Sequence, residues 1–540
     1  MATHEVTNQP PPRVDVDEFG TNVPLVEAVT RHDAAWALDH LRTVGRLVGQ
    51  ASFQDDAAAA HRHTPVLHTH DRYGRRLDEV EYHPAYHRVL GAAVAHGAHT
   101  SGWAAPRPGA AVARAATFML FAQVEPGHAC PVSMSHAAVP SLLLTPALAD
   151  QWVPRLLSRE YDARLAPGKR SALFGMAMTE KQGGSDVRAN TTVAVDAGDG
   201  SYRLTGHKWF CSAPMSDAFL VLAQAAEGLS CFVVPRVLED GTRNPFLIQR
   251  LKDKLGNRSN ASSEIELDDT VGFLLGEPGH GVRTIIEMVA HTRLDCVLGS
   301  AAGMRQSVAE AVWHARHRSA FGAVLVDQPA MAGVLADLAL ESEAATVTAI
   351  RLARAHDKDA DEDEVAFRRL ATAVAKYWIC KRGPGHAYEA MECLGGNGYT
   401  EAFPLAMRYR EQPVMAIWEG SGNVIALDVL RTLAREPRAL KVFEAEVGTV
   451  QGAHRLLDDH LRRTGELAAE VAGASAAEAA AHARRLTEAM ALALQASLLV
   501  RWSPTAVADA FIASRLGGEG GHLYGVLPRG TDLAAILERH

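Results

Sequence analysis

The stretch Ile417–Trp418–Glu419–Gly420–Ser421–Gly422–Asn423 sets one carboxylate between two apolar side chains and a Gly-Ser-Gly turn that leads into an amphipathic run. Desolvation raises the pKa of an acid shielded in this way toward neutrality, where a carboxylate can take a weakly acidic carbon-bound proton and release it again. Glu419 is thus a candidate general base. A plainer reading stands beside it, because acids gather near helix starts, where they favour the helix dipole. In a second stretch, Met178 to Asp186, the hydroxyls of Thr179 and Ser185 flank the Gly183-Gly184 pair. Backbone N–H groups in such a loop can close on a phosphate or a heteroaromatic edge, although an ordinary surface turn uses the same residues. A third stretch, Lys208-Trp209-Phe210-Cys211-Ser212, places two aromatic rings ahead of a hydroxyl on an expected strand end. Only one of those rings can face a ligand, since neighbouring side chains alternate across a strand. Packing into a core is the alternative there.

These residues need rigid elements to hold them. At 540 residues the chain exceeds one core, and its length suggests about three or four domains. From about Leu25 to Leu165 the pattern is Ala-rich and helical, as in Asp33 to Val48, where Trp36, Leu41, Val44 and Val48 recur at helical spacing. Prolines cut this part into several helices. Beyond Phe174 short apolar or alternating runs follow, at Thr191 to Asp196, Ser201 to Thr205, Ala218 to Ala225, Leu229 to Val234 and Ser263 to Leu267. Gly198-Asp199-Gly200 predicts a hairpin between the first two, and Glu239-Asp240-Gly241 a further tight turn. An all-β insert between helical blocks results.

After Gly281 the helical period returns in Val282 to His317, Pro329 to His356 and Glu364 to Leu394. The last contains Gly383-Pro384-Gly385, which predicts a kink or break, and Gly395-Gly396-Asn397-Gly398 ends it by chain reversal. The turn at 417–423 opens a helix through Leu433. Arg435-Glu436-Pro437-Arg438 is expected to be a linker into a further helical block. That block, 440–540, carries ten basic and twelve acidic residues, with Arg462-Arg463 and Arg484-Arg485 as its doublets. Such doublets fit a solvated helix face, with a nucleic-acid contact as the other reading.

Composition limits the rest. The chain is 47% hydrophobic and 22% charged, which is ordinary for a globular protein and excludes general disorder. Its net charge of −9 offers no global attraction to nucleic acid or an anionic membrane. The six cysteines form neither a CxxC pair nor a Cys/His metal spacing, so no metal is expected and reduced thiols in a cytoplasmic protein are. His61, His63, His68 and His70 have no acid partner at ligand spacing and are expected to be solvated surface. The residues from Met1 to Gly20 lack the apolar core of a signal peptide, and no apolar run is long enough to span a bilayer.

In their order and spacing, MTEKQGGSD, the Gly206–Ser212 run, KLGNRS from Lys254, FLLGEPGHG from Phe273, RSAFG from Arg318, CLGGNGYTEAFPLAMRYRE from Cys393 and IWEGSGN resemble the acyl-CoA dehydrogenase family, and the wording is most similar to its AidB branch, associated with the adaptive response to DNA alkylation. The resemblance implies a mainly α fold with a central β-barrel and an extra C-terminal helical domain. It divides the chain into a helical domain at 1–174, a barrel at 175–281, a bundle at 282–437 and an extension at 438–540. It also implies a homotetramer binding FAD between barrel and bundle, and an acyl-CoA thioester as substrate. Met178, Thr179, Gly184, Ser185, Phe210, Cys211, Ser212, Trp418, Ser421 and Asn423 would contact the cofactor. Arg318, Phe321, Gln328, Gly395 and Gly396 would hold its adenine and pyrophosphate end. Glu419 would be the base with Arg293 beside it, while Thr292 stands where one subgroup carries its acid. Ser212 replaces the family's usual Thr, and Trp418 its usual Tyr, which narrows the substrate channel. The branch further implies a reading as a double-stranded-DNA-binding stress flavoprotein of weak dehydrogenase activity, through Arg462, Arg463, Arg484 and Arg485. Oxidation of another carbon acid, such as a nitroalkane, needs the same base over a flavin.

Overall fold

Alternating apolar residues between Phe174 and Leu275 build a barrel. Strands Ala218–Ala225, Val193–Asp196, Tyr202–Ser212, Ser262–Leu275 and Gly228–Pro235 neighbour one another in that order, and pairing of Ala218–Ala225 with Gly228–Pro235 closes the ring. Phe174–Ala177 adds to Ala218–Ala225 in parallel, and Phe246–Leu251 pairs antiparallel with Ser262–Leu275. Phe219, Val221 and Ala223 point inward at every second position, with Leu204, Phe232, Val234, Phe246, Ile248, Ile265 and Leu267 from neighbouring strands. Each large side chain buried this way contributes roughly 1.5–3 kcal/mol. The expected hairpin at Gly198–Gly200 joins Asp196 to Tyr202, and the Glu239–Gly241 turn is bridged by Val237 and Arg243.

The computed structural model, which describes residues 3–540, forms two units. Ser52–Pro106 and Glu125–Asp295 make the unit that contains the barrel; Met1–Ala51, Arg107–Val124 and Cys296–His540 make a helical one. In the barrel unit the sequence pattern missed a hairpin, Val66–His70 with Arg76–Glu81. Its strands are polar on most positions, and only Leu67 and Val80 reach the barrel core. His68 and His70 lie on this hairpin, His68 beside Glu81 at 2.8 Å, whereas His61 is buried.

In the helical unit the long helix Glu362–Cys393 is packed by Leu405–Met415, Gly422–Arg435, Pro437–Gly448 and Ala476–Trp502. Asp361 caps its start by accepting from the N–H groups of Asp363 and Glu364. No break occurs at Gly383-Pro384-Gly385, because the helix continues through Pro384. The glycine there serves close approach instead. A Cβ on Gly383 would lie 2.2 Å from Gln412 Oε1, and one on Gly303 1.9 Å from Gln412 Nε2, so one amide is clamped between two helices.

Arg435–Arg438 is likewise no extended linker, since only Glu436 separates Gly422–Arg435 from Pro437–Gly448. Arg438 is paired with Glu362 and Asp363, and Glu436 with Arg369, which ties the junction down. Trp36 departs from its expected face as well. It is 45% exposed under the Arg107 guanidinium, while Leu41, Val44 and Val48 are fully buried. Among the described residues no helix is long and apolar enough to cross a membrane.

Candidate active site

On the barrel, the Thr179–Asp186 loop leaves the Phe174–Ala177 strand and lies along Tyr202–Ser212. The N–H of Trp209 donates to Thr179 O at 2.8 Å, and that of Lys181 to His207 Nε2 at 3.0 Å. Asn190 Nδ2 donates to Met178 O at 2.8 Å. Gly184 is required where it stands, because a Cβ there would lie 2.4 Å from Thr179 Oγ1. Met178 and Thr179 are half-buried, whereas Gly184 and Ser185 are exposed, so the loop offers hydroxyls and backbone to an incoming group.

Phe210 is the ring that faces out, at 50% exposure. The pairing register shifts between Lys208 and Cys211, and Trp209 stays half-buried under the Lys252 ammonium, 3.2 Å from the ring centroid. Lys252 also sits 4.7 Å from the Phe210 ring. Ser212 Oγ lies 3.1 Å from Ser262 Oγ. The Cys211 side chain turns into the barrel core at 0% exposure, and burial pushes its thiol up to about 12, so it is inert and can meet a ligand only through its main chain. Arg293 lies half-buried on the helix Gly281–His317. Thr292 Oγ1 bonds back to Met288 O and Val289 O at 3.3 and 3.1 Å, consistent with a residue that bears no acid chemistry.

In the helical unit Glu419 has φ +57, a left-handed conformation outside glycine. That backbone costs roughly 1–2 kcal/mol and persists only where its surroundings fix it. The fixing group is Lys376, fully buried, whose Nζ donates to Trp418 O at 2.9 Å and to Gly420 O, the carbonyls on either side of Glu419. No pattern along the chain points to Lys376, which lies 43 positions earlier on the helix Glu362–Cys393 and meets the turn only through packing. The shielding expected of Glu419 is partial within the chain: Glu419 and Trp418 are half-buried, and Ile417 is 64% exposed. The Trp418 indole packs on Cys296, Cys380 and Met415, and its buried Nε1 lacks a hydrogen-bond partner among the described residues.

Arg318 donates to Asn8 O at 2.8 Å at the base of a small hairpin, Ser319–Ala320 with Ala323–Val324. Phe321, at φ +53, is fully exposed at its tip. Gln328 braces the same hairpin by donating to Ala320 O at 2.8 Å, which accounts for its side chain without a ligand. Gly395 and Gly396 are exposed in a 3-10 turn, and a Cβ on either would meet nothing within 4 Å, so a flat group can approach their backbone. Ser421 and Asn423 are exposed at the start of Gly422–Arg435.

The arginine doublets separate. Arg462 pairs with Glu466 at 2.8 Å, and Arg463 Nε donates to Asp459 O at 3.2 Å. Arg484, by contrast, reaches the turn that carries Glu419: its Nη2 lies 3.2 Å, and Lys381 Nζ 2.8 Å, from where a Cβ on Gly422 would stand. Burial and the neighbouring charges of Arg484 and Lys376 lower the Lys381 pKa. Arg485 is exposed.

These residues fit a flavin dinucleotide. In the barrel unit the outward ring and the hydroxyl-bearing loop match part of it; in the helical unit, taken by itself, the cleared glycines 395 and 396 and the unsatisfied buried indole N–H match part of it.

Comparison with known proteins agrees. Residues 8–163 match the Adaptive response protein AidB N-terminal domain, 175–270 the acyl-CoA dehydrogenase middle domain and 279–434 the acyl-CoA dehydrogenase C-terminal domain. AidB of Escherichia coli is 50% identical over 465 residues, covering 85% of this chain and 86% of its own. Acyl-CoA dehydrogenase family member 11 of Caenorhabditis elegans is 30% identical, covering 74% of this chain and 68% of its own. The crystal structure of Caenorhabditis elegans ACDH-11 in complex with C11-CoA has the same fold, with a TM-score of 0.86 at 24% identity over 100% of this chain and 93% of that one. The apo form of Bd2924 gives 0.82 at 26% identity, over 92% and 99%. The chain therefore belongs to the acyl-CoA dehydrogenase family, as an FAD-dependent oxidoreductase of its AidB branch.

Proposed function

We propose that the chain dehydrogenates small or branched acyl-CoA thioesters, isovaleryl-CoA being the test case, with Glu419 as the base that removes the α-proton. The observation that carries this reading is the left-handed backbone of Glu419, held by Lys376 through the carbonyls on both sides. Strain of that kind, over-determined by a buried lysine, aims one side chain and keeps it aimed. Bound FAD supplies the acceptor for the β-hydride. Thr179, Ser185, Phe210 and Ser212 would hold its ring end; Arg318, Phe321, Gly395 and Gly396 would hold its adenine and pyrophosphate end. The N–H of Glu419 is the donor to the thioester carbonyl as charge develops there. Trp418, half-buried beside the base, limits the bulk of the acyl group. The fully exposed Phe321 and the open backbone of Gly395-Gly396 favour a homotetramer in which another copy covers them.

Anaerobic mixing with isovaleryl-CoA tests the proposal. The flavin absorbance should bleach within seconds, and Glu419→Gln should abolish the bleaching. A flavin that no acyl-CoA bleaches rejects it.

A second reading, a DNA-associated stress flavoprotein with weak dehydrogenase activity, is favoured by the match of residues 8–163 to the AidB N-terminal domain. The near-balanced charge of 440–540 and the Arg462–Glu466 pair speak against a strong phosphate surface there. Duplex affinity that falls steeply with salt, and weakens when Arg484 and Arg485 become alanine, is the expected sign of this reading. Flat or absent binding excludes it.

A further inference from the structure

Building on the flavin reading above, we infer that the buried Glu180–Lys208 pair is a strut that sets the spacing between the Thr179–Ser185 loop and the ring-bearing end of Tyr202–Ser212, which makes both residues positioning residues for the cofactor. Glu180 is 0% exposed in a loop whose next residues, Lys181 and Gln182, are on the surface. Its Oε1 accepts from Lys208 Nζ at 2.8 Å, Thr192 Oγ1 at 2.6 Å and Thr192 N at 3.1 Å. Its Oε2 accepts from Thr191 N at 2.7 Å and Thr191 Oγ1 at 3.0 Å. Lys208 is 1% exposed and donates also to Leu222 O at 2.8 Å. One carboxylate thus ties together the loop, the entry to the Val193–Asp196 strand and Tyr202–Ser212, while its lysine adds Ala218–Ala225.

Stability alone does not account for the pair. Taking two charges out of water costs about as much as their attraction returns, and a matched apolar pair often does as well. The pair instead fixes position. Thr179, Glu180 and Lys181 are bonded in turn to Trp209, Lys208 and His207, so three consecutive loop residues are locked to three consecutive strand residues. Phe210 and Ser212 follow directly on that strand. Burial would raise the Glu180 carboxyl, but the Lys208 ammonium and the Thr191 and Thr192 donors outweigh it and hold the group at about 2.

The test uses Glu180→Gln, Lys208→Met and the double variant in the full-length protein, with FAD titration, the visible flavin spectrum and thermal unfolding as readouts. Each single variant leaves a buried group mispaired and is expected to lose stability; the double variant removes the unpaired charge, though the Thr191 and Thr192 donors still meet a Gln amide and Leu222 O loses the Lys208 donor, and is expected to regain part of that loss. Affinity for FAD should fall about tenfold or more in all three, because a small misplacement of a binding group is costly. The double variant should not recover it, and its flavin band should be displaced. A double variant that binds FAD like the wild type, with the same spectrum, overturns the inference while leaving the flavin reading intact. A wild type that takes up no FAD overturns both.

Discussion

Glu180 lies wholly out of water with five donors on its carboxylate, one of them the ammonium of Lys208. Glu419 stays half-buried in a strained turn, and the buried Lys376 beside it donates to the two flanking carbonyls. In the barrel unit the lysine neutralises the acid and fixes it as structure. In the helical unit the lysine grips the main chain on either side of the acid, and it is the backbone that is immobilised. A glutamate beside a lysine is therefore no guide to role; which atoms the lysine bonds separates the proposed strut from the proposed base.

Replacing Glu419 should perturb the chemistry most. Glu419→Gln should reduce the rate of flavin bleaching by isovaleryl-CoA by about 10²-fold or more, the usual contribution of a positioned base, with FAD retained. Glu180→Gln should do the opposite, weakening FAD uptake while the remaining loaded protein still bleaches; stopped-flow absorbance separates the two. Next comes Lys376→Met, which strips the donor from two carbonyls and should cost roughly 1–3 kcal/mol of stability and slow bleaching without changing FAD affinity.

Smaller effects sharpen the contrast. In Glu419→Gly the left-handed backbone is relaxed, so that variant should be more stable than Glu419→Ala by about 1 kcal/mol, measured by denaturant unfolding. Acid treatment should weaken the Glu180 strut. The Glu180 pKa falls from an ordinary 4.5 to about 2 on folding, so its stabilisation is full above pH 4.5 and is lost as pH drops toward about 2. The wild type's stability advantage over Glu180→Gln should shrink across that window. The smallest contrast is Arg484→Ala against Arg485→Ala: only the former, at the Gly422 helix start, should alter the flavin spectrum.

Local pattern sufficed for the long helices and for five strands of the barrel, because apolar runs bounded by turn residues are written locally, whether they alternate in burial, as in Tyr202–Ser212, or are buried on both faces, as in Ala218–Ala225 and Gly228–Pro235. It failed at Val66–His70 with Arg76–Glu81, where one apolar residue per strand reaches the core, and at Gly383-Pro384-Gly385, where a glycine admits Gln412 instead of ending a helix. The residue types at Glu419, Thr179, Ser185 and Phe210 were legible as chemistry because their order matches a family pattern. The Cys211 position was legible too, but its inward rotation was not, since a register shift changes which side chains a strand end presents.

The family, the barrel between helical blocks and the candidate base are legible without coordinates, for those depend on local pattern and on motif order. It takes the folded chain to show that Lys376 grips the Glu419 turn, that Lys208 neutralises Glu180 and that Arg484 turns toward Gly422. Each of these joins residues from separate elements. Such contacts come from packing, and no period or spacing along the chain encodes which distant side chain will arrive.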